Sequence, residues 1–356
     1  MNRLVVKVGS NVLTQADGTL NIGRMSALVG QIAELRHLKW EVVLVSSGAV
    51  ASGRSVVQPP CHLNSVEQRQ LYSAVGQVKL LNHYDALFAQ YGITIGQVLA
   101  TKEDFSTRTQ YLNLRSCLDV MLKCGIVPIV NENDTVSVTE LMFTDNDELS
   151  GMIATMTEAS RLIILSNVDG IFTGNPADEG AFLIREVRAG DDLNRYIRVE
   201  KSGFGRGGMM TKCGIARKVS AEGIPVLIAN GNRENILTDL IHTPQTTPHT
   251  AFLPTTAKAS CVKKWIAHSA GFSKGKVYLN DNAVKAIESP KAVSLLFVGV
   301  LKIEGTFERG DILTVCDSEG RNIAVGKAEY SSGKAAELIG QRNRKPLIHY
   351  NYLYME

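Results

Sequence analysis

Long apolar runs are missing from this chain. The longest, Ala292 to Leu301, has ten residues and contains Ser294, whereas a bilayer-spanning helix needs roughly 20. No membrane span is therefore expected. Strand-like sequence starts at Leu4 with Lys7 inside it, which leaves no separate charged and apolar regions of a signal peptide. The six cysteines (61, 117, 124, 213, 261 and 316) include no CxxC pair. Their scatter suits a reducing, cytoplasmic setting better than a disulfide framework or a zinc site. The seven histidines (37, 62, 83, 242, 249, 268 and 349) show neither HxxxH nor HExxH spacing, so neither a metal hydrolase nor a protein metal site is expected. Excess charge is also missing: 38 basic and 35 acidic residues leave a net +3, which demands no polyanionic partner. Internal repeats and low-complexity tracts are lacking too. The rest is an ordinary globular composition, 44% hydrophobic and 21% charged over 356 residues, with length for roughly two domains at ~150 residues each.

The first 240 residues alternate between two periodicities. Leu4-Val5-Val6-Lys7-Val8 reads as a buried strand, followed by a helical stripe of Ile22, Met25, Leu28, Val29, Ile32 and Leu35. Val42–Val45 is a second strand. A long helix is expected over about Ser65 to Tyr91, with Val75, Val78, Leu81 and Phe88 on its apolar side. Strands at Ile93–Leu99, Ile126–Val130, Arg161–Leu165 and Pro225–Ala229 alternate with helices at Tyr111–Leu122 and near Met209–Glu222. Strands separated by helix-length crossovers predict an α/β fold with a mostly parallel central sheet sandwiched by helices. After residue 240 the character changes: Pro244, Pro248 and Pro254, among seven threonines between Thr238 and Thr256, favour extended structure or loop over helix. From Lys276 the segments are short and β-rich (Lys276–Leu279, Val293–Val300, Asp311–Val315, Ile323–Tyr330), with one short helix near Asn282–Ile287. They predict a small β-barrel domain. The expected division is 1–255, a linker 256–275, and 276–356.

In open parallel sheets ligands bind at the carboxyl ends of the strands, and four stretches there carry chemistry. The first is Lys7-Val8-Gly9-Ser10-Asn11. A lysine in an apolar strand is either buried against a partner charge or sits at an edge and reaches water; this stretch alone allows both. Ser46-Ser47-Gly48-Ala49 leads from a strand into a helix, whose N-terminal amides suit a carboxylate or phosphate, although simple N-capping explains it as well. Asn131-Glu132-Asn133-Asp134 and Thr144-Asp145-Asn146-Asp147-Glu148 supply amides and carboxylates of the kind that recognise an amino acid. Their spacing does not match a twelve-residue EF-hand loop, and a solvated, capped loop is the plain alternative. The fourth, Ser202 to Lys212, places four glycines before a helix that carries lysine in its first turn, the form of a phosphate cradle. Its GxGxxG match lacks a good preceding strand and a following acidic residue. A Walker A reading fails because Met209 follows Gly208 where lysine is required.

Together these stretches resemble the amino acid kinase family. Lys7-x-Gly9-Ser10, Val45 to Ala49, Asn131 to Asp134, Asp145-Asn146-Asp147 and Gly207-Gly208-Met209-x-Thr211-Lys212 fall in that family's order and spacing, and Ser166 to Thr173 looks like its nucleotide-side loop. Phe307-x-Arg309-Gly310-Asp311 and Gly320-x-x-Ile323-Ala324-x-Gly326 are similar to a PUA domain. The resemblance covers nearly the whole chain. It points to the branch that phosphorylates the side-chain carboxylate of L-glutamate with ATP, the first step of proline biosynthesis. It implies Lys7, Lys212 and Asp147 as catalytic residues, and Ser47, Gly48, Asn131, Asp134 and Asn146 as the glutamate site. Asp134 would meet the α-ammonium. ATP would be held by Lys7, Gly9, Ser166, Asn167, Arg206, Gly207, Gly208, Met209, Met210, Thr211 and Lys212, with Mg2+ bridging its phosphates. Two positions depart from the family: Asn167 stands where aspartate is usual, and Arg206 where threonine is common. The resemblance further implies a homo-oligomer, feedback inhibition by L-proline, and functional coupling to glutamate-5-semialdehyde dehydrogenase.

Two competing functions come from other directions. PUA domains in other proteins bind RNA, but residues 276–356 hold eleven basic and ten acidic residues with no basic stripe, where phosphate-backbone binding needs clustered cations. A sibling kinase acting on acetylglutamate, aspartate, carbamate or UMP is the other. The Asn131–Asp134 loop and the β-rich tail favour free glutamate.

Overall fold

The computed structural model describes residues 2–137, 143, 145–176, 178–193, 208–255, 266, 273–289 and 293–355. The chain forms two compact units, one of Met1–Asp104 with Leu112–Lys258, the other of Phe105–Tyr111 with Ala259–Glu356.

In chain order the elements begin β1 (Arg3–Val8), α1 (Ser10–Leu13), α2 (Ile22–His37), β2 (Glu41–Ser46), α3 (Ala49–Arg54) and α4 (Ser65–Ala89). They continue with β3 (Ile95–Ala100), α5 (Arg108–Lys123), β4 (Val127–Glu132), α6 (Asn146–Met156) and β5 (Arg161–Ser166). Three two-residue strands follow: β6 (Ile171–Phe172), β7 (Leu183–Ile184) and β8 (Glu186–Val187). Then come α7 (Met209–Ala221), β9 (Val226–Asn230), α8 (Ile236–His242) and β10 (His249–Phe252).

Eight of these strands form one sheet in the order β3-β4-β2-β1-β5-β9-β10-β8. Every pairing from β3 to β9 is parallel, and β10 runs antiparallel to β9. Every residue of β2 and β4 is buried, and so are all but the first residues of β1 and β5. Burial on both faces is why these strands read as unbroken apolar runs. On one face Leu4, Val6 and Val8 join Leu28 and Ile32 of α2, Tyr84 and Phe88 of α4, and Leu237 of α8 in a single core. Alternation along the strand sends Val5 and Lys7 to the other face, where α6 packs on β1 and α7 packs on α6.

The second unit has its own sheet. Its elements are β11 (Gly275–Leu279), α9 (Asp281–Glu288), β12 (Val300–Gly305), β13 (Ile312–Cys316), β14 (Asn322–Lys327), α10 (Ser332–Leu338) and β15 (Leu353–Met355). The strand order is β12-β11-β13-β14-β15, with β11 and β13 parallel and the other pairs antiparallel. Phe297, Phe307, Leu313, Val315 and Ile348 fill its core. Among the described residues no helix is long and apolar enough to cross a membrane.

Two expectations need correction. The run Val293–Val300 is not a strand: the Gly299 amide closes a tight turn onto the Leu296 carbonyl, Phe297 turns into the core, and the strand begins only at Val300. On α4 the buried face is Tyr72, Ser73, Gly76, Gln77, Leu80, Tyr84, Leu87 and Phe88, while Val78 is 60% exposed. The cause is α3. A Cβ on Gly76 would lie 1.7 Å from the Ala49 carbonyl oxygen, and one on Gly53 would lie 1.9 Å from that of Tyr72. The two helix backbones touch there, so the contact face is small and polar where hydrophobicity alone points elsewhere.

Gly76→Ala should therefore destabilise the protein by at least the ~1–3 kcal/mol typical of overpacking, seen as a lowered Tm. Gly214→Ala in α7, where a Cβ would meet nothing within 4 Å, should raise stability by about 0.5–1 kcal/mol. Equal melting temperatures for the two variants would contradict the close helix contact.

Candidate active site

Strand β1 lies in the middle of the sheet, with the chain passing to β2 on one side and β5 on the other. Its carboxyl end is thus the switch point where a parallel sheet opens a crevice. Lys7 sits there, paired in register with Val45 and Ile164 on the flanking strands. It is 4% exposed, which rules out an edge lysine reaching water. Its Nζ meets Asp147 Oδ1 at 2.5 Å, and Lys212 Nζ donates to Asp147 Oδ2 at 2.9 Å. Asp147 is completely buried and Lys212 is 8% exposed.

Two helices bring this triad together. Asp145 caps α6, accepting from the amides of Asp147 and Glu148 at 2.8 and 3.1 Å. Helix α7 approaches α6 so closely that a Cβ on Gly151 would lie 2.8 Å from Ile215; Gly151 follows Asp147 by one turn, and Ile215 follows Lys212 by three residues. Burial pushes the Asp147 carboxyl up, but the two ammonium groups and their hydrogen bonds outweigh it and hold it at about 2. Gly9 adjoins the same point: its amide donates to the Leu165 carbonyl, and a Cβ there would come 3.4 Å from Lys7 Nζ.

Beside the triad is a cavity of about 440 Å³ whose walls include Ser47, Gly48, Asn131, Asp134, Asp145 and Asn146. Gly48 precedes α3 in the left-handed region, with φ of 107°. Asn146 Nδ2 donates to Ser47 Oγ at 3.0 Å and to Asn131 Oδ1 at 2.9 Å. Asn131 Nδ2 donates onward to Gln77 Oε1 at 2.9 Å. Arg69 of α4 also lines this cavity. Its Nε donates to Asp134 Oδ1 at 2.6 Å and its Nη2 pairs with Glu132 Oε2 at 2.8 Å. Burial raises the Asp134 carboxyl, with the Arg69 charge acting against it. Glu132 is raised by burial and by the Asp134 charge, again opposed by Arg69. Glu132 Oε1 accepts from the Phe143 amide and the Ser137 hydroxyl, so one carboxylate ties α4 to both ends of the loop after β4.

On the other side of β1, Ser166 ends β5 and is buried, with its carbonyl accepting from the Gly231 amide at 2.7 Å. The exposed Asn167 starts a loop that Arg233 pins through two hydrogen bonds to Asp169, 2.6 and 2.7 Å long. Gly208 caps α7 without a side-chain bond, so Met209, Met210, Thr211 and Lys212 form its first turn. The amides of such a turn lack intrahelical acceptors and suit an anion. Arg206 and Gly207 lie outside the described residues.

The structure therefore brings Lys7, Asp147 and Lys212 into contact, and joins Ser47, Asn131 and Asn146 by hydrogen bonds in the cavity that Gly48 and Asp134 line. Sequence reasoning missed Arg69, Gln77, Glu132 and Asp145 as single site residues. Glu132 and Asp145 lay inside the quoted motifs. Arg69 and Gln77 are two helical turns apart on one face of α4, a polar stripe in a helix otherwise judged by its apolar residues.

A model described as the amino acid kinase family matches residues 2–230, and one described as a PUA domain matches residues 275–349. The chain is 58% identical over 354 residues to a glutamate 5-kinase from Bacteroides thetaiotaomicron, covering 99% of this chain and 98% of that one. It is 47% identical over 355 residues to a glutamate 5-kinase from Chlorobaculum tepidum, covering 99% and 97%. A solved isopentenyl phosphate kinase matches with a TM-score of 0.50 at 16% identity, over 70% of this chain and 100% of that one. That likeness speaks to the fold alone.

Asp145 makes a pH prediction. Burial, then the Asp147 charge, raises its carboxyl from 3.8 to about 6, with Lys7 and Lys212 pulling the other way. Because the folded value is the higher one, ionised Asp145 costs stability above pH 6, and that cost is relieved as pH falls toward 4. Asp145→Asn keeps a good N-cap. It should raise Tm at pH 8, with the gain shrinking through pH 6 and gone near pH 4. An equal gain at both ends would assign it to something other than this ionisation.

Proposed function

The chain belongs to the amino acid kinase family, and we propose that it transfers the γ-phosphoryl group of ATP to the side-chain carboxylate of L-glutamate, giving L-glutamyl 5-phosphate and ADP. The observation that carries this reading is the buried carboxylate of Asp147 holding two ammonium groups next to a cavity lined with amides and acids. The full-length identity to two glutamate 5-kinases supports the choice of substrate.

The chemistry asks little of a base. A glutamate side chain with a pKa near ~4.3 is already ionised at pH 7, so its oxygen attacks the γ-phosphorus directly. The bond from that phosphorus to the β,γ-bridging oxygen breaks, and ADP leaves with the electron pair. Two anions must be brought together, and the charge on the transferring group must be balanced. Lys7 and Lys212 do this from a strand end and a helix start, with Asp147 fixing both. Asp145, ionised above about pH 6, lies beside them, so the two lysines act on phosphate through their fixed positions and not through a net excess of charge. Mg·ATP is the second substrate. Ser166, Asn167 and the segment from Arg206 to Lys212 hold the nucleotide. The metal's ligands would be phosphate oxygens and water, the usual arrangement for Mg2+.

In the acceptor pocket Asp134 meets the α-ammonium and Ser47, Asn131 and Asn146 complete the amino-acid contacts. Gly9 and Gly48 let backbone approach the reacting groups. The same pocket would take L-proline, which shares the α-carboxylate and a cationic nitrogen, as a competitor. The product is a reactive acyl phosphate, which suits coupling to glutamate-5-semialdehyde dehydrogenase. Five free cysteines among the described residues fit a reducing cytoplasm. We assign phosphoryl transfer to residues 1–255, joined by a linker over 256–275 to the PUA domain at 276–356, and expect a homo-oligomer.

Trapping the product with hydroxylamine tests the reaction. Hydroxamate should form with ATP, Mg2+ and L-glutamate, and not with N-acetyl-L-glutamate. Product from the acetylated substrate would reassign the chain to a sibling kinase, and none from either would favour an RNA-binding role. Lys7→Ala and Lys212→Ala should each lower kcat by about 10²–10³ with a near-normal melting profile. Rates close to wild type would remove them from catalysis.

A further inference from the structure

Gln77 belongs to no recognised motif and does not line the acceptor cavity, yet the orientation of that cavity's amides depends on it. The Asn131 side chain meets three partners. Its Oδ1 accepts from the Glu132 backbone amide at 2.9 Å and from Asn146 Nδ2 at 2.9 Å, and its Nδ2 donates to Gln77 Oε1 at 2.9 Å. An amide side chain can be placed either way round on shape alone, but a backbone N–H is always a donor. The Glu132 amide therefore fixes oxygen on that side of Asn131, and its NH2 must point to Gln77. Oxygen facing Asn146 in turn requires the NH2 of Asn146, which also donates to Ser47 Oγ. Asn146 Oδ1 is left buried with no hydrogen-bond partner among the described residues. It is a buried acceptor without a donor of its own.

We propose that Gln77 is a positioning residue of the amino-acid subsite. Its Oε1 satisfies Asn131 Nδ2 and so maintains the relay Gln77–Asn131–Asn146 that presents Asn146 Oδ1 to the ammonium group of the acceptor. This rests on the reading of the cavity as an amino-acid site. Gln77 is well placed for the task. It is 8% exposed, and it follows Gly76, the residue pressed against the Ala49 carbonyl. The close contact of α3 and α4 therefore sets Gln77 relative to the Ser47–Gly48 turn. Without an acceptor at position 77, the Asn131 NH2 becomes a buried donor with nothing to bind, and such groups rotate away or draw in water.

Gln77→Met keeps the length of the side chain and removes the acceptor, whereas Gln77→Glu retains an acceptor oxygen. Gln77→Met should raise the KM for L-glutamate roughly tenfold, with the KM for ATP unchanged and kcat little altered. Gln77→Glu should stay within about threefold of wild type. In an Asn131→Ala background the Gln77→Met effect should fall below about twofold, because the relay is already broken. Glutamate affinity measured by calorimetry should follow the same pattern. A Gln77→Met enzyme with wild-type glutamate KM and affinity would overturn the proposal. So would an effect that persists undiminished without Asn131, which is what mere loss of packing would give. If Gln77→Met fails to fold, Gln77→Glu and Gln77→Ala are compared by calorimetry, and equal affinities would overturn it. Wild-type protein that binds glutamate but forms no ADP would defeat the kinase reading and leave this test standing; failure to bind glutamate at all would overturn both.

Discussion

A carboxylate with no solvent exposure, held between two ammonium groups, is a costly thing to bury, and much of the first unit is arranged around it. Each ion taken out of water carries a penalty of several kcal/mol, and the attraction within such a group repays it only when the geometry is tight. Here the geometry comes from three elements that are rigid for separate reasons. Strand β1 is clamped between β2 and β5. Helix α6 is capped by Asp145. Helix α7 is drawn against α6 at Gly151. The two ammonium groups are fixed in place before any anion arrives, and a polyphosphate would draw on both. Asp145, whose carboxyl the surroundings push up toward 6, adds a second strained group at the same place. Stability is given up where function needs charge fixed in advance.

The acceptor side works by a different physics. Asn131, Asn146, Gln77 and Ser47 are neutral, and what they supply is orientation. Neutral amides can be buried cheaply only if each donor and acceptor is matched, and among the described residues this network leaves two atoms over, Asn146 Oδ1 and Gln77 Nε2. The formal charges on this side, Arg69 bonded to both Asp134 and Glu132, leave one negative charge in excess. On the proposed reading, the ammonium of an amino acid would balance that excess. The direct contact of α3 and α4 backbones at Gly53 and Gly76 holds this side together, as the Lys7–Asp147–Lys212 cluster holds the other.

These two halves differed in how far they were legible from sequence. Parallel strands buried on both faces write themselves as apolar runs, so β1, β2, β4, β5 and β9 were readable within a residue or two. Lys7 stood out because it interrupts such a run. Helix α6 was not expected, since its start is a string of acids and amides that reads as loop until Asp145 is seen capping it. The stripe on α4 was misjudged because the face that matters packs against another backbone, and that selects glycine, serine and glutamine over valine. Strand β12 was displaced for a related reason: the alternating burial of Leu295, Phe297 and Gly299 against exposed Leu296 and Val298 is produced by a turn as well as by a strand. The site residues that sequence missed, Arg69 and Gln77, share a cause. Each acts on a residue more than 50 positions away, and no local pattern records which helical face will meet the loop after β4.

Fixing charge on one side and hydrogen bonds on the other also bears on selectivity. Any carboxylate brought near Lys7 and Lys212 would feel their field, so that field by itself discriminates weakly among acids. On the proposed reading discrimination comes from the hydrogen-bonded network, where an acceptor lacking the ammonium would leave Asn146 Oδ1 and the Asp134 carboxylate facing a group that cannot donate. Leaving a buried acceptor unmatched costs about 1–3 kcal/mol, and more when it is charged, so the loss of one ammonium is felt at two oxygens together. Acylating that nitrogen removes its charge and adds bulk in the same cavity. In that reading the two lysines would drive the chemistry, and the amide relay with Asp134 would decide which carboxylate is present when it happens.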